Sequence, residues 1–134
     1  MSVGRILLRA LPALLAVCAG CTSVRVNPHF GDVKAEGGRA AAAIVEIENS
    51  GWYLFTCIPL ASGDFEHPND FGCRWFRDTV HLQNNLAVLN GEMRRAGVSE
   101  VANLTSHRSD EKYLVFLLAR RAYHTSAVLL KPEE

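Results

Sequence analysis

The chain has 134 residues, with 14 basic and 14 acidic side chains, and therefore no net charge when its five histidines are neutral. This length suits one small domain rather than two. Proteins that bind nucleic acid usually carry a strongly basic face, and this balanced composition does not predict one. We therefore expect no nucleic-acid partner.

The N-terminus has the pattern of a secretory signal. Arg5 and Arg9 precede an uncharged run over residues 10–20, and Cys21 follows it. As a helix, these 11 residues would span only about 16 Å, whereas a hydrocarbon core is about 30 Å thick. An uncleaved membrane-spanning anchor is therefore a poor interpretation.

Small residues come directly before the cysteine, as Ala19-Gly20-Cys21. This arrangement resembles the bacterial lipobox, which implies that residues 1–20 are removed and that Cys21 is acylated, with palmitate among the expected chains. The bilayer is then a partner through the lipid on Cys21, and several acyl chains make a stable attachment. Cys18 stands where the lipobox usually has Leu, and cleavage after Ala19 by an ordinary signal peptidase is the alternative.

The residue after the cysteine indicates an address. Thr22 stands where Asp would imply inner-membrane retention in the enterobacterial sorting pattern. The resemblance therefore implies the periplasmic face of the outer membrane.

Removal of residues 1–20 leaves 114 residues, with 12 basic and 14 acidic side chains and a net charge of −2. Residues 21–39 contain one proline, three glycines and no sustained apolar period. This composition predicts a flexible tether behind the lipidated Cys21. Residues 40–131 are then expected to form the folded domain.

The folded domain starts with two predicted strands. Residues 43–48 alternate between apolar and polar side chains near their end, which indicates a strand with one wet face. Residues 52–60 are apolar on both parities, and the turn-forming sequence Asn-Ser-Gly separates the two runs. A long loop over residues 61–74, rich in Gly, Pro, Asn and Asp, follows.

A helix is predicted over residues 79–96. Asp78 or Thr79 suits its N-cap, and Gly97 suits a left-handed C-cap. Four apolar residues recur at spacings of four, three and four, which places them on one face: Leu82, Leu86, Leu89 and Met93.

Beyond the helix, a short strand over residues 98–106 and a turn over residues 107–112 are predicted. Arg120 and Arg121 form either a tight turn or a bend in one long strand. They separate two further strand-like runs, residues 113–119 and 123–130. The order β-β-α-β-β predicts an α+β domain with a mostly antiparallel sheet of four to five strands and one helix packed on a face.

Two cysteines remain in the mature chain, Cys57 and Cys73. In an oxidising compartment such a pair predicts one structural disulfide. Closure of a loop of about 16 residues would contribute about 3 kcal/mol. A metal or redox pair is the alternative, although the CxxC spacing is absent.

The sequence carries no catalytic motif, and we expect a non-enzymatic protein without cofactor or metal. Its histidines form no HxH or HxxxH pair, and no nucleophile elbow is present. The best cluster of hard oxygen ligands with an imidazole has the composition of a solvated loop. It comprises Asp64, Glu66, His67 and Asp70.

Aromatic residues are densest between positions 52 and 76. Core packing accounts for most such residues, but an exposed subset would form an interaction patch for an envelope protein. The interaction candidates are Trp52, Tyr53, Phe55, Phe71, Trp75 and Phe76.

Two short blocks resemble TRL-like and related uncharacterised lipoprotein families of the bacterial envelope. They are the sequence PLASGD at residues 59–64, which follows an apolar strand, and residues 96–101, which lead from the helix into a strand. The resemblance spans roughly residues 40–130 and implies an α+β fold and an envelope address, without a reaction. We therefore expect an outer-membrane lipoprotein with a structural or protein-interaction role. A periplasmic module that binds a ligand or metal is the alternative.

Overall fold

In the part of the chain that the structure describes, one α-helix lies against one face of an antiparallel sheet of six strands, which confirms the predicted α+β class. The computed structural model describes residues 22–28, 38–70 and 72–131. The strands are β1 (Thr22–Asn27), β2 (Ala41–Leu54), β3 (Ile58–Gly63), β4 (Cys73–Trp75), β5 (Val101–Tyr113) and β6 (Leu118–Leu130). The helix α1 (Leu82–Ala96) lies between β4 and β5, and a 3-10 turn (Leu114–Phe116) joins β5 to β6.

The long strands β2 and β6 pair with each other at the centre of the sheet, and β5 pairs with the other side of β6. Two shorter strands share the remaining side of β2. Thr22 of β1 lies opposite Asn49, whereas Ser62 of β3 lies opposite Gly51. β1 and β3 therefore lie end to end along β2, and β4 extends the sheet beyond β3.

β1 corrects the predicted tether. Thr22–Asn27 was assigned to a flexible segment, but it pairs with β2 along its whole length. Thr22 is buried and Val24 packs against the core, so alternate side chains of β1 point into the domain. The signal segment, Cys21 and residues 29–37 lie outside the described residues.

The turn between the last two strands lies inside an apolar run. β5 continues through residues 107–112, where a turn was predicted, and β6 continues through Arg120 and Arg121. β5 is an edge strand, and its side chains are largely exposed. A polar sequence is therefore compatible with this strand, because few of its side chains need to be buried. The chain reverses instead at Leu114–Phe116.

The C-terminal end of α1 has the predicted form. Gly97 adopts the left-handed conformation with φ of 67°. Its N–H donates to the Arg94 carbonyl at 3.2 Å, and the Val98 N–H donates to the Met93 carbonyl at 3.0 Å. These two hydrogen bonds satisfy carbonyls that the end of a helix leaves without a partner.

The N-terminal end of α1 lies three residues later than predicted, with His81 as the N-cap. Asp78 and Thr79 are engaged elsewhere. Asp78 Oδ1 accepts from the Val80 N–H at 3.1 Å, and Thr79 Oγ1 lies 2.7 Å from the Gly63 carbonyl. The segment before α1 is therefore fixed to the sheet rather than wound into the helix.

The main core lies between α1 and the two central strands. Of the predicted helix stripe, Leu89 is buried, Leu86 and Met93 pack against the core, and Leu82 is exposed. The buried members of this core are Ala43, Val45, Ile47, Val88, Leu89, Val98, Ala127 and Leu129.

Candidate interaction surfaces

Exposed apolar side chains concentrate at the end of the sheet where β2 turns into β3 and β5 turns into β6. In the part of the chain that the structure describes, twelve large hydrophobic side chains are exposed, and nine lie at this end or on the adjoining strand β4 and its turn. We call these nine the apolar end: Phe55, Ile58, Trp75, Phe76, Tyr113, Leu114, Val115, Phe116 and Leu117.

The two turns at the apolar end are joined by backbone hydrogen bonding. The Phe55 N–H donates to the Leu117 carbonyl at 2.9 Å. Within each turn, the Cys57 N–H donates to Leu54 at 3.2 Å and the Leu117 N–H donates to Leu114 at 3.2 Å. The apolar side chains are thus presented from a connected backbone.

Both turns place large residues in the left-handed region of backbone space. The φ angles are 50° for Phe55, 63° for Thr56, 50° for Leu114 and 65° for Val115. Asn and Gly are the residues that such turns favour, and left-handed backbone costs other residues about 1–3 kcal/mol each. The sequence therefore keeps bulky apolar residues at positions where smaller ones would relieve strain.

The aromatic candidates divide between this surface and the interior. Phe55, Trp75 and Phe76 are exposed and belong to the apolar end, whereas Phe71 lies outside the described residues. Trp52 is half-buried, and its ring centroid lies 5.4 Å from that of Tyr113. Residues 114–117 were missed as surface residues, because an apolar run without glycine was interpreted as a strand.

Tyr53 is a core residue rather than an interaction residue. It is 1% exposed, and its hydroxyl donates to Asp78 Oδ1 at 2.5 Å. Burial, together with this hydrogen bond, raises the pKa of Tyr53 above its usual value. The Arg121 guanidinium lies 4.3 Å from the centre of its ring. Tyr53 therefore stays a protonated donor that fixes the segment before α1.

A second surface lies on the face of the sheet opposite α1. A depression of about 250 Å³, which we call the polar groove, runs across β1, β2, β6 and β5. The rings of His107 and His124 stack in it, with centroids 4.8 Å apart. Its polar lining residues are Ser23, Arg25, Glu46, Glu48, Thr105, His107, His124, Thr125 and Ser126.

The two histidines lie beside a charged pair. Glu48 Oε1 accepts from Arg120 at 2.7 Å, and His124 Nδ1 lies 3.9 Å from the other Glu48 oxygen. The sequence pattern does not bring these residues together, because it places His107 in a turn. Residues 105–111 are polar on both parities, so hydrophobic periodicity carries no signal for a strand there.

The predicted loop cluster is partly assembled. Asp64, Glu66 and His67 place their ligand atoms within 4.8 Å of one another, and Asp70 is not in this group. Arg74 already lies against both carboxylates, with its guanidinium 3.0 Å from Asp64 and in an ion pair with Glu66. Arg74 thus takes the place that a cation would need in this cluster.

The predicted Cys57–Cys73 disulfide is corrected by the register of β3. Cys57 lies in the turn before β3, whereas Cys73 pairs with Gly63 at the opposite end of that strand. Six residues of extended chain separate Cys57 from Gly63, or about 20 Å. Since a disulfide needs Cα atoms within about 7 Å, no disulfide joins Cys57 to Cys73.

No protein-family model matches the chain, and none of the curated proteins or solved structures matches it either. The resemblance to TRL-like lipoproteins therefore stays a prediction. Within residues 22–28, 38–70 and 72–131, no helix has the length and apolar character needed to cross a bilayer.

Proposed function

We propose that this chain is a non-enzymatic lipoprotein of the bacterial outer membrane, held at the periplasmic face by acyl chains on Cys21. The observation that carries the proposal is the position of Thr22, the residue next to the expected acylation site. Thr22 is 3% exposed and lies opposite Asn49 in the sheet. A chain processed at Cys21 would thus begin one residue before its first strand, so the lipid would attach directly to the folded domain.

A loop residue fixes the same strand from its other side. The Asn69 N–H donates to the Thr22 carbonyl at 2.9 Å. The Asn69 side chain accepts from the Val24 N–H at 2.8 Å and donates to the Val24 carbonyl at 3.2 Å. Asn69 therefore acts as a short substitute for a neighbouring strand. Because β1 is supported in this way, we favour a domain held close to the bilayer over one connected to it by a long flexible linker.

Metabolic labelling with a palmitate analogue tests the lipid anchor. We expect the full-length wild type to be labelled and to fractionate with the outer membrane, because the Cys21 thiol accepts the acyl chain. Cys21→Ala is expected to accumulate as an unlabelled precursor. Cys57→Ser, which changes an exposed thiol in the folded domain, is the matched control and keeps the label. Equal labelling of wild type and Cys21→Ala would overturn the proposal.

For the domain itself we propose a structural or protein-interaction role, with the polar groove as the surface that faces a protein partner. Its mixed charges, Arg25 beside Glu46 and Glu48, suit a partner with complementary polar groups. Crosslinking in intact envelopes followed by pull-down tests this role. Arg25→Glu is expected to reduce capture, whereas Arg95→Glu on the exposed part of α1 leaves it unchanged. Equal capture by both variants would exclude the groove.

The stacked histidines favour one alternative, a ligand- or metal-binding module. The groove is slightly smaller than typical small-molecule pockets of about 300–1,000 Å³. Measurement of bound metal in the purified lipidated protein separates the two functions. The alternative would be supported if the wild type held one stoichiometric ion, if His124→Ala lost it and if the loop variant His67→Ala kept it. This result would overturn the protein-interaction role.

A further inference from the structure

We infer that the apolar end is a second membrane contact, which lies on the same bilayer that holds the lipid of Cys21. The inference deepens the proposed function and rests on its lipid anchor. The apolar end would contact the lipid surface directly, in addition to the attachment through the acyl chains on Cys21.

The register of β1 places the anchor near the apolar end. Thr22 lies opposite Asn49, and the β2 strand ends five residues later at Leu54, a distance of about 17 Å along the strand. Cys21 adds one Cα step of about 3.8 Å to Thr22. Because Thr22 is fixed in the sheet, a lipid on Cys21 holds the domain against the bilayer. The apolar end is then within reach of that surface.

The direction of β1 supports the same geometry. β1 runs antiparallel to β2, so its N-terminal residue points toward the end of β2 that carries the apolar turns. The opposite end of β1, at Asn27, lies beside Ile44, near the start of β2. An anchor at Cys21 therefore brings the apolar end, rather than the opposite end of the sheet, toward the lipid.

The composition of the apolar end fits a bilayer interface. Leu114, Val115 and Phe116 form its tip and are 73%, 83% and 59% exposed. Tyr113 lies directly behind the tip, at the end of β5, whereas Trp75 lies on β4 at the opposite edge of the sheet. Trp and Tyr are enriched at the level of lipid headgroups, with aliphatic residues deeper in the membrane. This order from tip to flank matches the order expected from bilayer to water.

The backbone strain in the two turns has an explanation on this surface. Phe55, Leu114 and Val115 hold left-handed backbone that Asn or Gly would adopt without strain. In water these side chains gain nothing from exposure. In a bilayer their apolar surface would be removed from water, and the free energy gained in this way would offset the backbone strain.

The charges beside the tip point to a hydrophobic rather than an electrostatic contact. Glu111 and Lys112 have opposite signs, and the Tyr113 hydroxyl donates to Glu111 at 2.6 Å. A contact of this kind does not depend on anionic lipid, and salt does not screen it. Binding through a basic surface would instead depend on anionic lipid and would weaken at high salt.

Fluorescence quenching by brominated lipid tests the contact in the full-length, lipidated protein. The protein is reconstituted into vesicles of phosphatidylethanolamine and phosphatidylglycerol that carry brominated acyl chains. Phe116→Trp places an indole at the tip. Leu104→Trp is the matched control, because Leu104 is also exposed but lies nine residues along β5 from Tyr113, about 30 Å away. Differences from the parent protein remove the signals of Trp52 and Trp75.

We expect brominated chains to roughly halve the added fluorescence of Phe116→Trp, because an interfacial side chain reaches the acyl boundary. The added fluorescence of Leu104→Trp stays unchanged, and high salt alters neither result. Addition of Leu114→Asn and Val115→Gly to the Phe116→Trp protein relieves the backbone strain, so the fold is kept, and the quenching is lost.

The mass of the N-terminal peptide, measured on the same sample, separates the two levels of the proposal. A lipidated Cys21 with no quenching at position 116 would overturn the membrane contact and leave the lipid anchor standing. A blue shift of the introduced indole without quenching would assign the apolar end to a contact with a second copy of this chain, and would overturn the membrane contact as well. An unlipidated Cys21 would remove both proposals.

Discussion

The side-chain hydroxyl of Thr22 donates a 3.2 Å hydrogen bond to Oδ1 of Asn49, and both residues are buried. The other end of the Asn49 amide donates to the Thr79 carbonyl at 2.6 Å. One side chain in the middle of β2 thus joins the first strand to the segment that leads into α1. The residue beside the expected lipid is therefore coupled directly to the core of the domain.

Asn49→Ala is expected to destabilise the domain by about 2–3 kcal/mol, because it leaves a buried hydroxyl and a buried carbonyl without this partner. Urea unfolding measures the loss. Asn84→Ala is the matched control, since the Asn84 side chain donates to the same Thr79 carbonyl at 2.7 Å but is only half-buried. Its cost should be about 1 kcal/mol or less. Equal costs for the two variants would show that Asn49 has no special role.

Gly51→Ala is expected to cost about 1–3 kcal/mol, the range for an overpacked core position. A Cβ atom there would lie 2.8 Å from Val80 Cγ2 and 3.1 Å from the Ala61 carbonyl, which is backbone and cannot easily move. Thermal and urea unfolding both report the loss.

Gly91 supplies the control for Gly51. Gly91 lies within α1, and a Cβ atom there would meet nothing within 4 Å. Gly91→Ala should therefore stabilise the domain by about 0.5–1 kcal/mol through helix propensity. A destabilised Gly91→Ala, or an unchanged Gly51→Ala, would contradict the packing described for these positions.

Local patterns correctly predicted parts of the elements that bury one face in the core and expose the other to water. The alternation at residues 43–48 gave part of β2, and Gly97 gave the end of α1. Leu89 was correctly placed on the buried face of the helix. Hydrophobic periodicity reports burial on one face, so it succeeds where one face is buried.

The same patterns failed where the polarity of a residue does not match its burial or its secondary structure. The edge strand β5 is polar on both faces, and the turn at Leu114–Phe116 is apolar although it is exposed. Asn85 shows the reverse case, because it is fully buried and donates to Tyr123 and Thr125 at 3.0 Å each. The apolar end and the polar groove were both missed for these reasons. Each depends on pairing between distant segments, which local periodicity does not contain.

The stability of the domain is expected to fall modestly in acid through Asp110. Hydrogen bonds from Arg108, at 2.7 and 3.0 Å, hold the pKa of Asp110 below its usual value, and Arg121 adds a further bond at 3.1 Å. Because the folded-state pKa is the lower one, the contribution is complete above the unfolded value of about 4. It is lost as the pH falls through the folded value.

Asp110→Asn tests this contribution by urea unfolding at several pH values. The side chain is 41% exposed, so the loss near neutral pH should stay below about 1 kcal/mol. The difference between wild type and variant should shrink as the pH falls through the folded-state pKa, because the wild-type carboxylate then becomes neutral as well. A difference that persists unchanged in acid would assign the effect to packing rather than to charge.

Cys57 is expected to react with a maleimide in the native, unreduced protein, because it is an exposed cysteine in the turn between β2 and β3. Non-reducing peptide mapping should recover no peptide that links Cys57 to Cys73, since β3 holds the two residues at its opposite ends. The Cys57→Ser variant is the control: it should lose the rapid reaction and unfold at the same urea concentration as the wild type. A Cys57–Cys73 peptide from the native protein would require β3 to pair with β4 in another register, and would contradict the sheet described above.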